Sequence, residues 1–84
     1  MNINKLEKLT TSQFGQSAVI MYSDDKTVLL RYMNNGGCRI YVTLNIGTDS
    51  LYNGHYRPTH EVDRITAREN AKADFFKRAF INRK

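Results

Sequence analysis

The sequence predicts an α+β fold in which an antiparallel meander of three to four strands packs against one long C-terminal helix, with a short N-terminal helical segment. Three observations support this class. Residues 38–46 alternate apolar and polar side chains, turn-forming clusters separate this stretch from two earlier strand-like segments, and the chain after Pro58 has a helical apolar period. With 84 residues, the chain has room for one domain, residues 1–84.

The first part of the chain predicts a short helix followed by two strands. Residues 2–10 carry apolar side chains at helical spacing, which predicts one or two turns that end at residues 10–12. Residues 16–23 and 27–33 are rich in strand-forming side chains. The turn signal at residues 23–26 predicts that these two strands form a hairpin.

A third strand is predicted over residues 38–46, after the hairpin signal Asn34-Asn35-Gly36-Gly37. Its alternation assigns one face to the core: Cys38, Ile40, Val42, Leu44 and Ile46. The other face is expected to meet water: Arg39, Tyr41, Thr43 and Asn45. Further along, the Asn53-Gly54 pair predicts a small hairpin or a partial fourth strand.

The C-terminal segment predicts a long helix. Pro58 marks a boundary, and Thr59 is placed to cap a helix that runs to about Asn82. On a helical wheel of 100° per residue, six apolar side chains fall within about 120°: Val62, Ile65, Ala73, Phe76, Ala79 and Phe80. This stripe is expected to pack on the apolar face of the sheet.

Positive charge is concentrated in the same segment. Residues 57–84 contain eight basic and four acidic residues, whereas residues 1–56 contain five and four. Most of the net charge of +5 therefore lies in residues 57–84. A positive field on one element favours an anionic partner, either a nucleic acid or an acidic protein surface.

Two groups of residues are candidates for partner binding. The helix face away from the apolar stripe carries Arg64, Arg68, Phe75 and Arg78, where an exposed phenylalanine between arginines would be an anchor. The predicted loop before the helix carries Tyr52, His55, Tyr56, Arg57 and His60. Each group also has a structural interpretation: the arginines pair with Glu61 and Glu69 while Phe75 lies at the core edge, and the tyrosines are cross-strand partners.

The predicted polar face of the third strand adds two candidate contacts to nucleic acid, Arg39 and Tyr41. Catalytic, cofactor and metal sites are not predicted. Cys38 belongs to the apolar side of its strand, and His55 and His60 lack further ligands at metal-binding spacings. The chain is therefore not expected to be an enzyme.

Cysteine content and hydropathy predict the compartment. A single cysteine favours a reducing environment, and neither a signal-peptide pattern nor a membrane-spanning run is found in the sequence. We expect a cytoplasmic protein with no membrane partner, either a monomer or a homodimer paired through an exposed edge strand.

Several segments resemble small phage-encoded proteins of unknown function. They are Ala18-Val-Ile-Met-Tyr22, Thr27-Val-Leu-Leu, and Leu51-Tyr-Asn-Gly-His-Tyr-Arg-Pro-Thr59 leading into a helix with Phe75-Phe76. The resemblance implies a phage or mobile-element origin and no enzymatic activity. It also implies a role as an inhibitor of host machinery, such as a restriction or CRISPR system.

Two function hypotheses follow. In the first, the chain is an inhibitor or regulator that binds an acidic surface of a host protein complex through the basic helix face and the aromatic loop. In the second, it binds DNA or RNA through the basic helix and the polar sheet face. Acidic residues interspersed along the helix favour the protein partner.

Overall fold

A computed structural model describes residues 2–59 and 63–82 of the chain. Its elements in chain order are α1 (Ile3–Phe14), β1 (Val19–Ser23), β2 (Thr27–Met33), β3 (Arg39–Ile46), β4 (Leu51–Pro58) and α2 (Arg64–Asn82). The predicted α+β class is confirmed. Over these residues, neither helix is long and apolar enough to cross a membrane.

The four strands form one antiparallel sheet in the order β1-β2-β3-β4. The first hairpin is closed by the backbone N–H of Asp24, which donates to the carbonyl of Thr27 at 2.9 Å. In the second turn, the side chain of Asn34 accepts backbone hydrogen bonds from Gly36 and Cys38, each at 2.9 Å. Local turn chemistry therefore directs each strand beside its predecessor, and the predicted meander is confirmed.

The two helices cover opposite faces of the sheet. On one face, Leu6 of α1 packs against buried residues of three strands: Val28, Leu30, Val42, Leu44 and Leu51. On the other face, Ala67, Ala71, Phe75 and Ala79 of α2 pack against Leu29 and Tyr41. The central strands β2 and β3 are consequently buried on both sides.

The prediction that one face of β3 is exposed to solvent is therefore wrong. Tyr41 and Thr43 are each 1% exposed, while Arg39 and Asn45 are half-buried. Alternation along β3 separates a wholly apolar face from a mixed face. It does not by itself show that the mixed face meets solvent. Because α2 lies over the mixed face, both faces are interior.

The face that α2 turns towards the sheet also differs from the predicted stripe. The buried residues recur every fourth position, at Ala67, Ala71, Phe75 and Ala79. Leu29 and Tyr41 already fill the space above the sheet, so the helix can approach closely along its small side chains. The contact selects the alanines rather than the largest apolar residues.

Most of the predicted stripe consequently faces outward. Ile65, Phe76 and Phe80 are 67%, 55% and 62% exposed, and Ala73 is exposed as well. Of the stripe's described members, Ala79 alone is buried. Val62 lies outside the described residues.

Both helices have boundaries that differ from the predicted ones. α1 continues through residues 10–12 to Phe14, since the hydroxyl of Thr10 donates to the carbonyl of Leu6 at 2.8 Å and so fits within the helix. Asp63, not Thr59, caps α2: one carboxylate oxygen of Asp63 accepts from the backbone N–H of Thr66 at 2.9 Å.

Asn53-Gly54 does not form a turn but lies inside β4, which is a complete strand. The turn before β4 is closed instead by the N–H of Gly47, which donates to the carbonyl of Ser50 at 2.8 Å. The pairing of β3 with β4 shifts register between Thr43 and Asn45, opposite Asn53, whose φ of 58° is left-handed. An Asn-Gly pair therefore supplies a bulge here rather than a hairpin.

Leucine at the buried helix position 71 should destabilise the fold. We expect Ala71→Leu to lower the free energy of unfolding by about 1–3 kcal/mol. Ala71 is 2% exposed on the side of α2 that packs on the sheet, so a larger side chain has no room there. Ala73→Leu, on the exposed side of the same helix, should change it by less than about 0.5 kcal/mol. Urea denaturation measures the free energy of unfolding of both variants. A larger loss for Ala73→Leu than for Ala71→Leu would instead support the packing stripe that the helical wheel predicts.

The Asp63 cap should make stability depend on acid. Hydrogen bonds from Thr66 hold the pKa of Asp63 below its ordinary value of 3.8. A pKa that is lower in the folded state means that the stabilisation is present above pH 3.8 and is lost as the pH falls through the folded-state pKa. We therefore expect Asp63→Ala to melt below the wild type at neutral pH.

Acidification should remove this difference, as thermal unfolding followed by circular dichroism down to about pH 2.5 would show. Asp25→Ala, in the exposed turn between β1 and β2, serves as the carboxylate control. A gap between wild type and Asp63→Ala that stays constant with pH would contradict the capping role.

Candidate functional site

β1 is the first edge strand of the sheet. Its sequence, Val-Ile-Met-Tyr-Ser, contains neither charge nor proline, but it is only five residues long. The opposite edge, β4, carries Arg57, Pro58 and the left-handed Asn53, which are features that normally block edge pairing. Of the two edges, β1 carries fewer of these features, although it also contains a bulge.

A bulge in β1 directs two consecutive side chains towards α2. Its register with β2 shifts between Ile20 and Tyr22, so Met21 is the extra residue. Met21 packs on the cluster beneath α2, and the ring of Tyr22 lies 5.9 Å from that of Phe75. Tyr22 also lies 5.8 Å from the ring of Phe76, which joins the edge strand to the outer side of the helix.

An apolar flank of α2, consisting of Ile65, Phe76 and Phe80, continues this surface. These three residues fall within an arc of about 60° at 3.6 residues per turn. Each is more than half exposed. Because Phe76 contacts Tyr22, the flank lies on the β1 side of the helix, whereas Asp74 and Arg78 face β4.

The other face of the β1 edge has a cavity of about 320 Å³. It lies between α1 and β1 and is lined by Glu7, Thr10, Thr11, Ala18, Val19 and Ile20. The open edge of β1 is therefore bordered by the apolar flank on one face of the sheet and by a cavity on the other. Alternate side chains of an added strand would point to these two places.

Basic groups outnumber acidic ones around the apolar flank. Arg68 and Lys72 both lie 3.8 Å from carboxylate oxygens of Glu69, so two cations share one acid. The Lys72 ammonium is also 5.8 Å from the centre of the Tyr22 ring. Two cations against one acid give the surface beside β1 a net positive charge.

Two predicted contact residues are buried and are unsuited to a surface role. Phe75 is 4% exposed in the α2 cluster, and Tyr41 is 1% exposed on β3. Arg64 and Arg68 are exposed as predicted, but half-buried Arg78 donates to the carbonyl of Asn53 at 2.5 Å and holds α2 to β4. The basic helix face therefore has both exposed and structural members.

The predicted aromatic loop is largely the edge strand β4, so its side chains point to both faces. Tyr56 lies towards α1, with its ring 6.5 Å from that of Phe14. His55 lies towards α2, where its Nδ1 is 3.2 Å from a carboxylate oxygen of Asp74. Arg57 and Tyr52 are exposed on the α2 side, and His60 lies outside the described residues. These residues do not form one surface.

Aromatic packing on the α1 side changes the acidity of one tyrosine. The ring of Tyr32 lies 5.1 Å from that of Phe14. Burial, followed by the neighbouring Tyr56, raises the pKa of Tyr32 above its ordinary value of 10.0. Tyr32 is therefore neutral at physiological pH and belongs to the packing under α1 rather than to a titrating site.

The exposed residues beside β1 were missed because the helix carries two apolar stripes. The helical wheel predicts Ile65, Phe76 and Phe80 as core residues, and the strand pattern does not distinguish Tyr22 from its neighbours. Ala67, Ala71 and Ala79 are spaced by four or eight residues, and this spacing is the signal in the sequence for the side of the helix that packs on the sheet. Alanine is less hydrophobic than isoleucine or phenylalanine, so the apolar side that a helical wheel predicts follows the large residues.

The described residues contain no group of three or more His, Cys, Asp or Glu side chains placed to hold a metal ion. Half-buried Cys38 has its sulfur 3.5 Å from the hydroxyl of Thr59. Comparison with known proteins found no matching family model, curated protein or solved structure.

Adjacent phenylalanines on α2 should differ sharply in their effect on stability. We expect Phe75→Ala to lower the free energy of unfolding by about 3–5 kcal/mol because it leaves a cavity between the helix and the sheet. Phe76→Ala should cost less than about 1 kcal/mol, since its ring is mostly in solvent. Urea denaturation compares them; similar losses for both would contradict the observed helix orientation.

Proposed function

We propose that the chain is a non-enzymatic binding protein that inhibits or regulates another protein by accepting an extended segment of it along β1. The observation that carries the proposal is the uncharged edge strand beside the exposed apolar flank of Ile65, Phe76 and Phe80. Strand addition of this kind uses main-chain hydrogen bonds for affinity and alternate side chains for specificity.

Both faces of an added strand have a receiving surface. Side chains on the α2 side would pack against Tyr22 and Phe76, whose rings are already in contact. Side chains on the α1 side would enter the cavity bordered by Thr10, Ala18 and Ile20. Exposed aromatic residues next to an open edge are typical of protein-binding surfaces.

The charges beside β1 indicate the chemistry of the partner. Arg68 and Lys72 outnumber Glu69 on the α2 side, so the segment should carry acidic residues near that helix. Large apolar residues should alternate with them to contact the flank. An acidic protein segment is the same class of partner that the charge distribution predicts, although the binding surface is different.

Selection from a library of random 12-residue peptides, displayed on phage, tests the proposal. We expect enriched peptides to combine large apolar with acidic residues. Phe76→Ser and Ile65→Ser should each weaken binding of a selected peptide about tenfold, or about 1.4 kcal/mol. Fluorescence anisotropy with the labelled peptide measures this loss.

Ile81→Ser is the matched control, because Ile81 is 57% exposed on the same helix but about 160° around it from Ile65. Methylation of peptide backbone nitrogens should weaken binding at every second position, which identifies strand pairing. Equal effects of Ile65→Ser and Ile81→Ser, or no dependence on N-methylation, would exclude strand addition at β1.

A further inference from the structure

Four arginines lie towards one end of the sheet. Arg31 and Arg57 are the cross-strand partners of Tyr41 on its two sides. Arg39 is two residues from Tyr41 on β3 and therefore shares its face. These three arginines lie on the α2 face of the sheet, with Arg31 and Arg57 on the strands either side of β3, about 10 Å apart.

The start of α2 brings the fourth arginine to the same end. Asn82, the last residue of α2, donates through its side chain to Thr27 and Asn45 at the opposite end of the strands. Arg64, the first residue, therefore lies towards Arg31 and Arg39. It precedes Ala67 by three positions and so belongs to the sheet-facing side of the helix.

The arginine cluster is defined as Arg31, Arg39, Arg57 and Arg64. Among the described residues, none of its members has a carboxylate within 4.0 Å. Asp63 is next to Arg64 in sequence, and its two oxygens accept from the N–H and the hydroxyl of Thr66 at 2.9 and 2.7 Å. The described residues of this region thus carry more positive than negative charge, which favours an anion.

A small cavity adds a further donor. Its volume is about 130 Å³, and it is lined by Ser17, Arg31, Tyr32, Met33 and Arg39. The Ser17 hydroxyl accepts from the backbone N–H of Met33 at 3.1 Å. Over the described part of the chain no hydrogen bond uses the hydroxyl's own proton, so Ser17 can donate to an anion beside the two guanidinium groups.

We propose that the arginine cluster binds the phosphate groups of a nucleic-acid backbone. Guanidinium groups match the geometry of phosphate oxygens through paired N–H donors. An acidic protein partner would require apolar anchors at the centre of its contact, yet Tyr41 between Arg31 and Arg57 is 1% exposed. The site is independent of β1 strand addition, because it lies on different residues at the end of the sheet.

Salt-dependent binding of labelled oligothymidylate tests the site. Anisotropy titrations from 50 to 200 mM salt should give a slope of log K against log salt of about −3, from four contacts at about 0.7 each. Arg57→Gln with Arg64→Gln, both exposed, should reduce that slope by about 1.4. Lys8→Gln with Lys77→Gln removes the same two charges elsewhere and should leave the slope unchanged.

A polyglutamate of equal length separates phosphate recognition from general attraction, since it should bind at least tenfold more weakly than the oligothymidylate. Equal binding of polyglutamate, equal slopes for the two double variants, or no binding by the wild type at 50 mM salt would each overturn the proposal. Arginine Nε–H signals of the wild type, followed by NMR during titration with oligothymidylate, test the site without any variant. Phe76→Ser should retain oligothymidylate binding, which distinguishes this site from the proposed protein-binding surface.

Discussion

The contact between Tyr41 and the alanine side of α2 is the constraint on which the surface of this protein depends. A tyrosine that is 1% exposed in a central strand must be covered, and Ala67 and Ala71 let a helix backbone approach it closely. Once those alanines face the sheet, the rotation of α2 is set. Every other side chain of the helix then has its position relative to β1 and β4.

That rotation leaves large apolar residues more than half exposed. Ile65, Phe76 and Phe80 are turned towards the side of β1, and Phe76 meets Tyr22 at the strand edge. Because the bulge at Met21 presents Met21 and Tyr22 to the same face, the edge and the helix form one continuous surface. The exposed rings beside β1 thus have their origin in how α2 is docked.

Charge and apolar surface are separated by the same arrangement. Arg78 and Asp74 hold α2 to β4. These two polar side chains of the helix therefore make contacts within the chain. Arg31, Arg39 and Arg57 are brought into line by strand register, although they are far apart in sequence. A positive cluster at the sheet end and an apolar flank beside β1 can therefore engage different partners without competing for residues.

The sequence by itself determined the α+β class, the meander and the boundaries of β2, because alternation and turn chemistry at Asn34 and Asp24 act over a few residues. Net charge was likewise readable, but not its clustering. Tertiary structure alone decided which side of α2 is buried and that the two helices cover opposite faces. Those choices arise from contacts between distant residues, such as Tyr41 with Ala71, which a helical wheel does not contain. The candidate residues Tyr22, Ile65 and Phe76 became visible for the same reason: their exposure depends on that docking, not on their own hydrophobicity.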